Sequence, residues 1–336
     1  MAPPLVDTLG RPIRDLRVSV TDRCNFRCVY CMPREAFGPG HEFLDRREVL
    51  SFEEIARLAR VFAGLGVRKL RLTGGEPLVR RDLAKLVAML AEVAGLEVTL
   101  TTNGALLDRH AEALFAAGLT RLTVSLDSLD DAVFRRMNDA DVGVGRVLDG
   151  IAAAERAGFA RMKINMVVKR GVNEASVVPM VERFRGTGHV VRFIEYMDVG
   201  TTNGWRLDDV VSAAEIVALV HRAHPLVATG RARSSDTAES WRFVDGGGEI
   251  GVVASVTRAF CRDCVRARLS ADGSLYTCLF ATKGHDLKGP LRAGASDDDL
   301  AHAIAKGWTA RADRYSEIRG SATASTPRVE MSYIGG

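Results

Sequence analysis

Six cysteines fall into two groups of three: Cys24, Cys28 and Cys31 near the start of the chain, and Cys261, Cys264 and Cys278 near its end. Thiolates are soft metal ligands, and three of them on one short loop can converge on a single metal centre. A structural zinc normally closes with four protein ligands. The first group has no fourth cysteine, and the nearest histidine, His41, lies beyond the turn Gly38-Pro39-Gly40. A four-iron cluster held by three thiolates keeps one iron open to an exogenous ligand. The second group follows the same logic, with His285 as a candidate fourth ligand; on spacing alone, cluster and zinc both stand open there. A disulfide framework is the poorer explanation in a long chain with no sign of secretion.

The other chemistry-bearing side chains are basic. The chain has 336 residues with 46 basic and 42 acidic side chains, a formal charge of +4, which is too small an excess to argue for a nucleic-acid partner. Lysine occurs only at positions 69, 85, 163, 169, 283, 288 and 306, so arginine carries most of the positive charge. That reflects either compositional bias or a grip on phosphate, and position decides. Arg17, Arg71 and Arg192 fall inside β-type runs, and Lys163 opens one. Arg266 and Arg268 alternate by two, so an extended segment projects both to one face. Each arginine alone would read as a surface ion pair. Together inside a barrel they would be costly without an anion. Gly74-Gly75-Glu76-Pro77 directly follows another β run. It is either an ordinary βα turn or a place where backbone approaches a ligand, with Glu76 able to accept from an ammonium.

The elements that must position these residues are legible as alternating strand and helix signals. Short β runs occur at 16–20, 69–73, 97–101, 121–126, 163–168 and 190–194. Helical patterns lie at 51–65, 83–94, 106–117, 145–157 and 174–184, the first opened by the capping pair Ser51 and Glu54. Gly66, Gly95, Gly118 and Gly158 stand where helices end. Six strands joined by helices imply right-handed crossovers and a parallel sheet, either a partial barrel or a doubly wound sheet. Ligands then sit at the C-terminal strand edge. After about Thr202 the pattern changes to a helix at 213–221, a turn at 245–248 between β runs, a hairpin at 271–274 and a last helix at 297–311. A Ser/Thr-rich tail from Ser321 ends in Gly335-Gly336. Hydrophobic residues at 47% and charged residues at 26% fit a chain that buries a core. No apolar run approaches the roughly 18 residues a membrane span needs. The start lacks a charged-then-apolar leader, so a soluble cytoplasmic protein is expected.

The run Cys24-Asn-Phe-Arg-Cys28-Val-Tyr-Cys31 resembles the cluster loop of the radical S-adenosylmethionine (SAM) enzymes. With Gly74-Gly75-Glu76-Pro77, the second cysteine group, Arg266, Arg268 and the terminal Gly335-Gly336, the chain resembles the family of GTP 3′,8-cyclases, which begin molybdenum-cofactor biosynthesis. The resemblance implies an α/β fold: a partial (β/α)6 TIM-like barrel over residues 1–201 and a smaller C-terminal α+β region, 202–336, carrying a second cluster. It implies two [4Fe-4S] clusters on the six cysteines. SAM would be met by Tyr30, Gly75, Glu76, Ser125 and Met197. GTP would be met by Arg17, Arg71, Thr101, Lys163, Arg192, Arg266, Ala267 and Arg268, with Arg17, Arg266 and Arg268 catalytic and the tail reaching the active site. The second open iron would hold the guanine base, and a 5′-deoxyadenosyl radical would take the ribose 3′ hydrogen. Other implied partners are an electron donor and a downstream cyclic pyranopterin monophosphate synthase, with no nucleic acid or membrane; a homodimer is left open. One departure stands out: the residue after Cys264 is commonly Asn in the family and is Val265 here. Competing readings are a zinc-holding interaction module and a peptide-modifying radical enzyme. Metal analysis after anaerobic purification decides the first: about eight irons with matching sulfide are expected per chain, and about two zincs without sulfide would overturn the cluster reading.

Overall fold

The computed structural model describes residues 4–319 and 328–335; Ser321 and Gly336, both named above, lie outside them. Six parallel strands form the centre of one twelve-stranded sheet: β1 Asp15–Ser19, β2 Lys69–Thr73, β3 Glu97–Thr102, β4 Arg121–Ser125, β5 Lys163–Val168 and β6 Val190–Glu195. The crossovers run through helices α1 Phe52–Gly64, α2 Leu83–Ala91, α3 Ala111–Ala116, α4 Asp131–Asn138, α5 Val144–Ala157 and α6 Val177–Phe184. The expected strands and helices are therefore present, most within one or two residues of their expected bounds.

Period-two alternation assigns each strand two faces. Leu16 and Val18, Leu70 and Leu72, Val98 and Leu100, Leu122 and Val124, and Ile164 and Met166 are buried in one core with Leu58 and Phe62 of α1 and Leu86 and Leu90 of α2. The intervening positions, Arg17, Arg71, Thr101, Ser125 and Asn165, face the cavity described below. One apolar and one polar residue per pair is how a single strand serves core and site together.

The C-terminal region joins this sheet along both edges. Helix α7, Ala213–Ala223, leads to β7 Leu226–Gly230, β8 Glu239–Phe243 and β9 Glu249–Val253, and β9 pairs parallel with β6. At the other edge β10, Arg266–Leu269, pairs parallel with β1, and β11 Ser274–Tyr276 and β12 His285–Asp286 follow antiparallel. The strand order is β12-β11-β10-β1-β2-β3-β4-β5-β6-β9-β8-β7. An eight-strand parallel arc results, open where β9 and β10 do not pair. Helices α8 Lys288–Arg292 and α9 Asp297–Thr309 then pack back toward the start of the chain, with Trp308 fully buried.

Three local details depart from the expectations above. Helix α4 is absent from them: it has only eight residues, with Phe134 and Met137 as its buried apolar contacts and Asp130 capping it through Val133 N at 2.9 Å. The helix expected over 106–117 breaks at His110 into a 3-10 turn, Leu107–Arg109, and α3. The one expected over 174–184 begins as a 3-10 turn, Glu174–Ser176. By contrast the capping pair is present as expected, Ser51 Oγ accepting from Glu54 N at 3.1 Å and Glu54 Oε2 accepting from Ser51 N at 2.7 Å. Ser51→Ala should lower stability by about 1 kcal/mol, read as a lower denaturant midpoint with an unchanged slope.

Candidate active site

Strand register sets the charge layout. Arg17 of β1 lies level with Arg268 of β10 on one side and Arg71 of β2 on the other. One layer toward the strand N-termini, Asp15 lies level with Arg266 and Lys69. Ion pairs lie beside the row of Arg268, Arg17 and Arg71: Lys69 with Asp15 one layer down, and Arg121 with Glu97 on the two strands beyond Arg71. Neither includes an arginine of the row. Among the described residues, Arg17, Arg71, Arg192, Arg266 and Arg268 lack a carboxylate partner. Arg71 Nη1 donates to the hydroxyls of Thr101 (2.8 Å) and Thr123 (3.1 Å), Arg192 Nε to Asn165 Oδ1 (3.0 Å), and Arg266 lies over the Phe260 ring at 5.1 Å. Arg17 Nε is buried without any partner. Burial first, then the neighbouring guanidiniums, pushes Arg17 well down, and Arg192 and Arg268 down to about 10. Largely buried cations that weaken one another in this way have the chemistry to take an anion.

The first cysteine group sits in the loop after β1, at its C-terminal end. Arg27 ties this loop together: Nη1 donates to the carbonyls of Cys24 (2.9 Å) and Phe26 (2.8 Å), and Nε to that of Phe37 (2.8 Å). Helix α4 supplies the rest. Its Asn138 carbonyl accepts from Arg27 N, its Met137 carbonyl accepts from Val29 N, and Asn138 Oδ1 accepts from the Cys28 thiol at 3.2 Å. Burial raises all three thiols, Cys24 to about 12, and for Cys28 and Cys31 the neighbouring thiols add to it. The second group comprises Cys261 and Cys264, around the 3-10 turn Cys261–Asp263 that precedes β10, and Cys278 just after β11. Burial raises Cys278 to about 12, whereas at Cys264 the charges of Arg266 and Arg311 outweigh burial and bring it down to about 7.

All six cysteines line a single cavity of about 290 Å³. The two histidines weighed as zinc ligands do not. His41 packs between Phe37 and Phe43, and His285 is exposed on β12 against Gly307. Among the described residues no three His, Cys, Asp or Glu side chains gather at one point that would hold a single metal ion. Three half-buried soft donors per set, facing a common space with no histidine behind them, fit a cluster with an open iron.

The cavity also gathers most of the remaining expected residues: Arg17, Tyr30, Arg71, Gly75, Glu76, Thr101, Ser125, Arg192, Met197, Arg266 and Arg268. Lys163 and Ala267 do not line it. Ala267 points to the opposite face of β10 and is fully buried in the core. Lys163 lies beside Arg192, and burial followed by the charge of Arg192 brings it down to about 7. The glycines after β2 line the cavity and also have a packing role. A Cβ at Gly75 would stand 2.3 Å from the Arg23 carbonyl, and one at Gly74 2.4 Å from that of Thr21. They let the turn pack on the cysteine loop. Glu76 likewise serves the chain itself, accepting from Leu78 N (2.9 Å), Thr102 Oγ1 (2.7 Å) and Asn103 N (2.7 Å), while burial pushes it up to about 7.

Sequence reasoning misses several residues. Tyr30 donates its hydroxyl to Asp127 Oδ2 at 2.8 Å, and Asp127 Oδ1 accepts from Val167 N at 2.9 Å. Asp127 extends the inward alternation of Ser125, and Asn165 that of Lys163, so continuing the period of two finds both. The tail is expected in the site, and Gly335 reaches it: its carbonyl accepts from Arg268 Nη1, while Ile334 is fully buried. Glu330 secures the approach through Thr201 N and Oγ1, both at 2.9 Å.

Residues 18–184 match the radical SAM superfamily and 189–317 the molybdenum cofactor synthesis C family. A GTP 3′,8-cyclase of Acidothermus cellulolyticus is 51% identical over 362 residues, covering 100% of both chains. Those of Xanthomonas axonopodis pv. citri and Staphylococcus carnosus are 53% and 46% identical, again over 100% of both chains. The chain belongs to the GTP 3′,8-cyclase family. Among solved structures, Streptococcus suis SuiB bound to S-adenosylmethionine shares the fold, with a TM-score of 0.62 at 16% identity over 88% of this chain and 68% of that one. Radical SAM family membership brings SAM and a [4Fe-4S] cluster, and the Cys24–Cys28–Cys31 set is where the donor chemistry fits. No helix among the described residues is long and apolar enough to cross a membrane. Gly75→Ala should force the turn off the cysteine loop, costing about 1–3 kcal/mol and lowering iron content and SAM cleavage. Gly64→Ala, whose Cβ meets nothing within 4 Å, should change neither.

Proposed function

We propose that this cavity binds GTP by its triphosphate and guanine ends and joins ribose C3′ to guanine C8, giving 3′,8-cyclo-7,8-dihydro-GTP at the first step of molybdenum-cofactor synthesis. The observation that carries the reading is the convergence of five arginines without carboxylate partners and both cysteine sets on one cavity. Cys24, Cys28 and Cys31 would hold the SAM-binding cluster, and Cys261, Cys264 and Cys278 a second [4Fe-4S] cluster. When bound, the first cluster and SAM supply the 5′-deoxyadenosyl radical that takes the 3′ hydrogen.

The chain's own residues do the rest. Arg17, Arg71 and Arg268 stand abreast and offer planar donors to phosphate oxygens. Arg192 and Thr101 extend that surface, Lys163 adds charge from behind Arg192, and Arg266 flanks the second cysteine set. The backbone at Ala267 holds Arg266 and Arg268 on one face. Tyr30, pinned by Asp127, together with Gly75, Ser125 and Met197 walls the SAM side. Glu76 secures the turn that carries Gly75. Fixing both ends of one nucleotide makes the C3′–C8 bond an intramolecular event, which is where placement contributes most. A separate electron donor would supply two electrons, one to cleave SAM and one that, with a proton from solvent, completes the dihydro base. The product then passes to a cyclic pyranopterin monophosphate synthase. The reading carries a cytoplasmic location with it, where thiols stay reduced, and a division near 201/202 between the SAM-binding barrel and the region of the second set.

Anaerobic incubation with GTP, SAM and a reductant, followed by mass analysis of the nucleotide, tests it; unchanged GTP, or equal use of ATP, overturns it. Arg268→Ala should lower kcat/KM for GTP by about 10- to 150-fold, the equivalent of about 1.5–3 kcal/mol. Iron content and SAM cleavage should be retained.

A further inference from the structure

The second cysteine turn is held from behind by a buried charge network that the chemistry above does not use. Asp7 is buried, and so are both arginines that bind it. Asp7 Oδ2 accepts from Arg11 Nε at 2.5 Å and from Arg311 Nη1 at 3.3 Å, and Asp7 Oδ1 accepts from Arg11 N at 2.9 Å. Each arginine also reaches a cysteine carbonyl. Arg11 Nη1 donates to Cys261 O at 2.7 Å, and Arg311 Nη1 to Cys264 O at 2.7 Å. Arg11 Nη1 donates further to Asp313 O at 2.9 Å, and Arg311 Nε approaches Asp313 Oδ2 at 3.4 Å. Trp308 closes the arrangement, donating Nε1 to Arg11 O at 3.0 Å while the Arg311 guanidinium lies 4.6 Å from its ring centre.

The turn Cys261–Asp263 has no side-chain cap of its own. Its two cysteine carbonyls are therefore oriented by guanidiniums from opposite ends of the sequence. Cys278, on the far side of the set, is not gripped by either arginine. A fork that serves a carboxylate and a peptide carbonyl together fixes direction as well as distance, which a point charge does not.

We infer that Arg11 and Arg311, bridged by Asp7, are positioning residues for the second metal site: they fix the Cys261–Cys264 turn so that its two sulfurs are presented to the cavity in one orientation. The inference rests on the reading that this set holds a second cluster. It implies a hierarchy. Residues 310–313, after α9, must dock on the N-terminal segment before the second set is rigid, whereas the first set is held without them, by Arg27, α4 and the turn after β2.

Release of iron from the anaerobically prepared holoenzyme to a ferrous chelator tests this, with Cys261→Ser marking which irons belong to the second set. In Arg311→Gln the second-set irons, about four of about eight, should leave about tenfold faster, and the electron-resonance signal of that cluster should shift and broaden. The first-set irons and SAM cleavage should match the unsubstituted enzyme. Arg11→Gln should do the same, and Arg311→Lys should fall between, since it keeps the charge and loses the fork. Arg311→Lys also carries the test should Arg311→Gln fail to fold. Release at the original rate, or equal acceleration of both sets, overturns the inference while leaving two clusters in place. If the unsubstituted enzyme holds only about four irons and Cys261→Ser keeps all of them, the two-cluster reading fails and takes this inference with it.

Discussion

Three guanidiniums side by side inside a sheet, with no carboxylate paired to any of them among the described residues, are the constraint on which this molecule is built. Arg268, Arg17 and Arg71 occupy adjacent strands at one level because parallel pairing fixes register across β10, β1 and β2. A one-residue slip of any strand would turn its arginine into the helix-covered core and its leucine into the cavity. The apolar half of each strand therefore protects the arrangement: Leu16, Leu70 and Ala267 must stay buried for the arginines to face inward. The like charges depress one another's proton affinity, and that repulsion is a standing cost in the free protein. Binding of a polyanion would remove it.

The layer beneath shows that the lack of counter-ions is local and not a property of the strands. Asp15 lies next in line on β1, and it is paired with Lys69. Glu97 pairs with Arg121 on the neighbouring strands. Carboxylates do line the cavity, Glu76, Asp127 and Glu195 among them, but among the described residues none pairs with an arginine of the row. The two cysteine sets sit at the C-terminal ends of the same strands or in the turns that lead to them, so the anion site and both sulfur sites share one scaffold.

Much of this is legible in the amino-acid order alone. The six strands, the capping of α1 and the two cysteine groups follow from period, cap chemistry and spacing, each a local signal. What is not legible has identifiable causes. Helix α4 is too short for its periodicity to register, yet it holds Cys28 through Asn138. Gly74 and Gly75 read as an ordinary turn or as room for a ligand, and their tight contacts with the carbonyls of Thr21 and Arg23 add a packing role; a turn packed against a nearby loop from another strand has no local signature. The edge pairings of β9 and β10 depend on contacts between residues far apart in sequence. So does the meeting of Asp7 with Arg311, 304 residues apart. Ala267 stands between two site arginines, and the alternation that makes them candidates excludes its side chain.

The tail bears on how the charged layer survives without substrate. Gly335 brings a peptide carbonyl to Arg268, and its left-handed φ of +77° and close approach to Thr73 leave no room for a side chain. A carbonyl supplies a hydrogen bond but no net charge. It satisfies the directional need of one buried guanidinium and leaves the excess positive charge of the row intact. A phosphate oxygen offers the same geometry with a full charge behind it, and charge-assisted bonds are roughly twice as strong as neutral ones. The tail's contact is therefore weaker than the one it resembles. That ordering lets the chain fill the site in the free state without competing strongly for it. Arg17, whose Nε has no hydrogen-bond partner among the described residues, keeps the unsatisfied demand at the centre of the row, where a triphosphate would meet it.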